Sequence, residues 1–130
     1  MKRVTGIGGI FFSAPDPHAT RDWYVKQLGI PTRDFEGTTL PIFEWQERGS
    51  GDVAYTVWAV FGPKPKHFEP GNGDFMINYR VRNLDAMLEQ LRKAGVRVVD
   101  GPQQDFNGRF AWILDPDGRK VELWEPAKGF

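Results

Sequence analysis

The sequence contains no cysteine among its 130 residues. This absence excludes disulfides, zinc–thiolate sites and cysteine nucleophiles, and it fits a protein of the reducing cytosol. Neither sign of charge is in excess, with 17 basic and 17 acidic side chains, so no overall field favours nucleic acid or an anionic membrane. No apolar run approaches the roughly 20 residues that cross a bilayer. We therefore predict a cytoplasmic protein that binds neither nucleic acid nor membrane.

Histidine is also scarce, with only His18 and His67. Neither has a second ligand at metal-binding spacing. His18 falls in the first turn of a predicted helix, where we interpret it as a solvated surface residue. His67 lies in a proline-rich linker, from which it could reach over a cavity together with Glu69 and help to build a site.

Aromatic residues, in contrast, are abundant, with five tryptophans and ten phenylalanines. A domain this rich in rings places some of them in its core and often lines a pocket with others. The run Gly6-Ile7-Gly8-Gly9 is not a phosphate loop, because it lies within a predicted strand rather than between a strand and a helix.

The chain also repeats itself. Residues 10–16, followed by a helix and Gly29, are echoed by residues 77–83, a helix and Gly95. The offset is 67 residues at Ile10 and Ile77 and 66 residues at Trp58 and Trp124. A repeat of this length predicts two similar modules packed about a pseudo-twofold axis. The axis is where we expect a ligand.

Each module is predicted to contain a strand, a helix and three further strands. Module 1 covers about residues 1–62, the linker about 63–73 and module 2 about 74–127, all within one α+β domain. The first helix begins after the N-cap Asp16 and is expected to bury Ala19, Trp23 and Leu28 before it ends at Gly29. The predicted strands are 4–13, 32–35, 40–46, 53–61, 75–81, 96–99, 109–114 and 120–125.

Alternation along the strands predicts which side chains face the hollow between the modules, because successive strand residues point to opposite faces. The pattern does not decide where Trp45 and Trp112 point. The residues expected to face the concavity, and to bind a ligand there, are Phe11, Thr56, Trp58, Met76, Asn78, Arg80 and Trp124, with Glu122 as the one acid.

The segment Asp115-Pro116-Asp117-Gly118 to Trp124 and the strand–helix unit from Asn78 to Gly95 resemble the vicinal oxygen chelate superfamily, which includes glyoxalase I, bleomycin-resistance proteins and extradiol dioxygenases. The resemblance implies a glyoxalase-like fold in which paired βαβββ modules curl around a cavity. Metal-dependent members carry one ligand on the first and last strand of each module. These positions correspond to Gly9, Thr56, Met76 and Glu122, of which only Glu122 retains a ligand side chain.

We therefore expect no metal cofactor; a divalent ion (Zn, Mn, Fe or Ni) held by an unrecognised site is the alternative. Glu122 could act as a general base or hydrogen-bond acceptor, or it could simply pair with Arg80 or Arg109. Three functions stay open: a bleomycin-resistance-like protein that binds a partly aromatic or anionic small molecule, a lyase or isomerase that uses Glu122, and a structural module with a filled cavity. Open sheet edges and the resemblance both favour a homodimer.

Overall fold

The computed structural model describes residues 1–130 as one eight-stranded mixed sheet with two helices. The α+β class and the glyoxalase-like pair of modules are thereby confirmed. Along the chain the elements are β1 Val4–Ser13, α1 Pro17–Leu28, β2 Thr32–Phe35, β3 Thr38–Gln46, β4 Val53–Phe61, a 3₁₀ helix Lys66–Phe68, β5 Phe75–Val81, α2 Leu84–Lys93, β6 Val98–Asp105, β7 Gly108–Leu114 and β8 Lys120–Pro126.

The sheet order shows the internal symmetry directly. The strands lie in the order β2-β3-β4-β1-β5-β8-β7-β6. Each strand of the first module therefore has a counterpart in the second module at the same distance from the central β1–β5 pair. These two strands are antiparallel, and Ile10 pairs with Ile77, the same two residues that the sequence repeat relates. The pseudo-twofold axis therefore passes between Ile10 and Ile77.

Helix α2 covers one face of the second module. Its N-cap Asn83 accepts a hydrogen bond from the Ala86 amide, which satisfies one of the free amides of the first turn. Leu84 and Leu88 are almost fully buried against Leu123. Because successive strand residues point to opposite faces, alternate residues of β7 and β8 pack against α2 and the others point away from it.

Helix α1 packs much less tightly than α2. It has the predicted caps, with Asp16 bonded to the Ala19 amide and Gly29 in the left-handed conformation, but none of its residues is buried. Trp23 is 54% exposed and Leu28 is 62% exposed. The expectation that α1 buries Ala19, Trp23 and Leu28 was therefore wrong, because periodicity shows which face is apolar and not whether a sheet covers it.

Strand β6 is longer than predicted. It runs over Val98–Asp105 rather than 96–99, and its pairing with β7 shifts register twice between Val98 and Gln103. The strand continues past Gly101-Pro102 through these irregularities. The extension brings Gln103 and Asp105 to the wall of a cavity.

Neither helix is long and apolar enough to span a bilayer.

Candidate functional site

Glu122 is the centre of the site. It lies on β8 beside Asn78 of β5 and is only 4% exposed. Its Oε1 accepts a hydrogen bond from Asn78 Nδ2 at 2.6 Å, and its Oε2 accepts one from Trp112 Nε1 at 2.8 Å. A buried carboxylate needs such partners, because it cannot be left without hydrogen bonds at low energetic cost.

The linker supplies a third partner. The 3₁₀ helix Lys66–Phe68 brings His67 Nε2 to 3.0 Å from Glu122 Oε2. The imidazole is stacked on Phe61, and its side chain is 39% exposed. We assign the proton to His67 Nε2, because a carboxylate only accepts hydrogen bonds; Nδ1 then has no protein partner. The prediction that His67 could reach over the cavity agrees with this geometry; Glu69 instead contributes to the charge around Lys120.

A cavity of about 300 Å³ adjoins Glu122 and His67; we call it the Glu122 cavity. Phe110 forms parallel-ring contacts with two tryptophans of the wall, at 15° and 6.3 Å from Trp112 and at 4° and 5.9 Å from Trp124. Phe11 closes the side that faces β1. The space beside Glu122 favours a ligand-binding protein over a structural module with a filled cavity, and this choice stays a prediction.

Both acidic and neutral polar side chains surround the Glu122 cavity. Asn78 Oδ1 and Asn107 Oδ1 are buried and have no hydrogen-bond partner, although both residues line the cavity. The carboxylates of Glu122 and Asp105 also border it. Neither oxygen is exposed to the cavity, and Asn78 Oδ1 lies against Gly8. The acceptors that a ligand could meet are therefore the carboxylates of Glu122 and Asp105.

The arginines expected near Glu122 are engaged elsewhere. Arg80 lies with its guanidinium 4.9 Å from the Trp124 ring and donates to the Phe130 main-chain oxygen at 2.9 Å. Burial lowers the pKa of Arg80, and the nearby charge of Glu47 partly offsets this effect. Arg109 forms a two-pronged pair with Asp85. The prediction that one of them neutralises Glu122 was wrong, and Arg80 borders a separate polar groove.

Two residues of β4 also point elsewhere. Trp58 packs against Tyr24 of α1 at 5.0 Å between ring centroids, on the side opposite the Glu122 cavity. Thr56 donates to the Ile7 carbonyl and accepts from Trp45 Nε1. The expectation that Trp58 and Thr56 face the cavity was wrong, since the register pairs Gly9 with Val57 and it is Val57 that lines the cavity.

The four positions that correspond to the metal ligands of the superfamily do not form a metal site in this structure. Gly9 has no side chain, Thr56 is bonded to main chain, and Met76 is 1% exposed in a cluster with Phe68 and Trp112. Glu122 is left with His67 as its one nitrogen neighbour of ligand type. No group of three His, Cys, Asp or Glu side chains converges anywhere in the chain, whereas catalytic metal sites normally have about three protein ligands. These residues do not fit the metal of the superfamily.

Comparison with known proteins places the chain in a family. The profile of the Glyoxalase/Bleomycin resistance protein/Dioxygenase superfamily matches residues 6–123. The chain therefore belongs to this superfamily. Among proteins with curated functions, none matches the chain.

Several solved structures share the fold. A methylmalonyl-CoA epimerase in complex with methylmalonyl-CoA and NH4+ is 22% identical, with a TM-score of 0.68 and 97% of each chain covered. A single-residue variant of the Streptomyces coelicolor methylmalonyl-CoA epimerase, in complex with 2-nitronate-propionyl-CoA, is 23% identical, with a TM-score of 0.64 over 93% of this chain and 96% of that one. The Mycobacterium tuberculosis epimerase is also 23% identical, with a TM-score of 0.58 over 98% of this chain and 91% of that one. At these identities the likeness concerns the fold alone.

Sequence reasoning missed the opposite wall of the site. Phe110 and Trp112 alternate with Ala111 and Ile113, which pack on the α2 side. The cavity-facing orientation of Phe110 and Trp112 could have been derived from this alternation once β7 was paired with β8. Asn107 had no signal in the sequence, because its role depends on the turn between β6 and β7.

Proposed function

We propose that the protein binds a flat, hydrogen-bond-donating small molecule, neutral or cationic, in the Glu122 cavity and without a divalent metal. The observation that carries this proposal is the combination of a parallel ring wall with two carboxylates, Glu122 and Asp105, around a cavity that no lysine or arginine lines. Flat ligands gain ring contacts against Trp112 and Phe110 beyond simple burial. Their N–H groups would donate hydrogen bonds to the carboxylates.

The charges around the cavity favour such a ligand over an anion. The guanidinium of Arg80 is turned to Trp124 and Phe130, and Lys120 Nζ donates to the His67 carbonyl at 2.7 Å. No lysine or arginine therefore lines the Glu122 cavity. An anionic ligand, which the sequence had suggested through Arg80, would meet the carboxylates of Glu122 and Asp105, with His67 as the one basic side chain in the wall.

A thermal-shift screen tests the proposal. The panel would contain 2-aminobenzimidazole as a flat donor, 2-naphthoate as a flat anion and cyclohexylamine as a donor without a flat ring. We expect stabilisation by 2-aminobenzimidazole, with a Kd of about 0.1 to 1 mM for so small a compound. Stabilisation by 2-naphthoate alone would contradict the proposed ligand class.

The variant Glu122→Gln should weaken 2-aminobenzimidazole binding by roughly tenfold or more, because it removes the negative charge and places an amide donor among the N–H groups of Asn78 and Trp112. Glu89→Gln on the exposed side of α2 is the matched control and should bind as the parent does. Isothermal titration calorimetry measures both affinities. Equal affinity in the Glu122 variant would exclude this residue from the binding site.

A proton-transfer enzyme, such as an isomerase or lyase, is the second candidate. The observation in its favour is the His67–Glu122 pair at 3.0 Å, in which Glu122 orients an imidazole whose Nδ1 is free to accept a proton. Methylmalonyl-CoA in deuterated water is a direct test, because the fold neighbours include its epimerases. We expect no deuterium incorporation, since no lysine or arginine lines the cavity to stabilise an enolate. Incorporation that disappears in Glu122→Gln would favour the enzyme instead.

The homodimer and the cytoplasmic location stay predictions. The sheet ends at β2 and β6, which leaves two edges for pairing with a second copy. Native mass spectrometry decides the oligomeric state.

A further inference from the structure

A second, mostly apolar hollow opens beside the Glu122 cavity. It has a volume of about 390 Å³ and lies between the β2–β3 hairpin and the turn that joins β6 to β7. We call it the side chamber. The residues that line it without touching the Glu122 cavity include Phe35, Leu40, Ile42, Tyr55, Phe106 and Phe130.

The side chamber and the Glu122 cavity are adjacent. Val57, Asn107 and Trp124 line both of them. Trp124 is fixed at this junction, because its Nε1 donates to the Asn107 carbonyl at 2.9 Å. The unpaired Asn107 Oδ1 is carried by the same turn. A molecule in the Glu122 cavity therefore lies next to residues that also border the side chamber.

The two hollows differ in chemistry. The Glu122 cavity contains carboxylates and carbonyl acceptors, whereas most of the residues around the side chamber are apolar. Phe106 is 78% exposed, yet it packs edge-to-face on Phe130 at 5.9 Å rather than standing alone in solvent. Leu40 is 36% exposed on the facing strand. Apolar side chains gathered around an open space favour an apolar occupant.

We propose that the side chamber binds an uncharged hydrocarbon arm of the ligand whose flat, donor-bearing head occupies the Glu122 cavity. This inference rests on the proposed function. The wall that the two hollows share, formed by Val57, Asn107 and Trp124, favours this occupant over an unrelated molecule. The ligand class is accordingly amphipathic, with a polar ring at one end and an apolar chain or ring at the other.

The test compares three probes on the wild-type protein by calorimetry: 2-aminobenzimidazole as the head, 2-(hexylamino)benzimidazole as the head with an arm, and 1-hexanol as the arm alone. Burial of part of the hexyl chain should raise affinity for the armed probe on the order of 30-fold over the head. Hexanol alone should bind far more weakly than either.

Variants locate the arm. Leu40→Asp places a charge at the side chamber and should reduce the gain from the hexyl arm to less than about threefold, while affinity for the head stays unchanged. Phe106→Ala, at a mostly exposed turn position, provides a second variant if Leu40→Asp folds poorly, and it should lower the gain several-fold. Leu28→Asp on α1 is the control and should leave both affinities unchanged, because Leu28 lies outside the chamber and is 62% exposed.

The outcomes separate the two proposals. If the head does not bind, the proposed function fails and the side-chamber proposal falls with it. If the head binds but the arm adds no affinity, the side-chamber proposal alone is overturned. The same holds if the arm adds affinity that Leu40→Asp and Phe106→Ala leave intact, since the arm then lies elsewhere.

Discussion

Replacing Gly108 with alanine should destabilise the protein by about 3 to 5 kcal/mol, which is large for a single added methyl group. Gly108 begins β7 with φ +135, a region that residues with a side chain rarely adopt. A Cβ at this position would overlap the Glu125 carbonyl oxygen and approach Trp124 Nε1. Because Glu125 contributes main chain there, the neighbouring strand itself would have to move.

The matched control is Gly29→Ala. Gly29 also has positive φ, +66, but a Cβ there would meet no atom within 4 Å. Its substitution should cost only about 1 kcal/mol, the ordinary penalty for a side chain in the left-handed region. Urea unfolding of both variants measures the difference. A Gly108 variant as stable as the Gly29 variant would show that the turn beside the Glu122 cavity tolerates rearrangement.

The second large effect concerns the unequal helices. Leu88→Ala in α2 should reduce the free energy of unfolding by about 2 to 5 kcal/mol, because Leu88 is 1% exposed in the core cluster with Leu84 and Leu123 and its truncation leaves a cavity. Leu28→Ala in α1 should change stability by less than about 0.5 kcal/mol, because Leu28 is 62% exposed.

Chemical denaturation compares these two leucine variants directly. A large loss in Leu28→Ala, similar to that in Leu88→Ala, would mean that α1 is covered in solution by a partner surface. The pair of variants therefore also reports on the predicted homodimer.

The sequence repeat carried most of the fold prediction. It related Ile10 to Ile77, and these residues pair across the centre of the sheet. Strand bounds such as 4–13 and 53–61 were predicted as the structure has them. Helix α1 was predicted in extent but not in packing, since the spacing of Trp23 and Leu28 describes an apolar stripe and gives no information on the sheet area available to cover it.

The candidate site was less predictable than the fold. Glu122, Asn78 and Trp124 could be assigned to one face because β5 and β8 alternate regularly. Thr56 and Trp58 were placed wrongly because the repeat matched them to Glu122 and Trp124. The strand registers instead pair Ile10 with Trp58 and Ile77 with Val121, and an odd shift along a strand reverses every side chain. His67 reaches Glu122 only through the path of the linker, which local sequence does not determine.

The most direct test is to measure by calorimetry the binding of 2-aminobenzimidazole to protein treated with a chelator. We predict that the affinity for 2-aminobenzimidazole is the same before and after removal of divalent ions. The same affinity should fall at least tenfold in Glu122→Gln. Binding that is lost with the chelator and restored by zinc or manganese would contradict it, as would binding that is indifferent to residue 122.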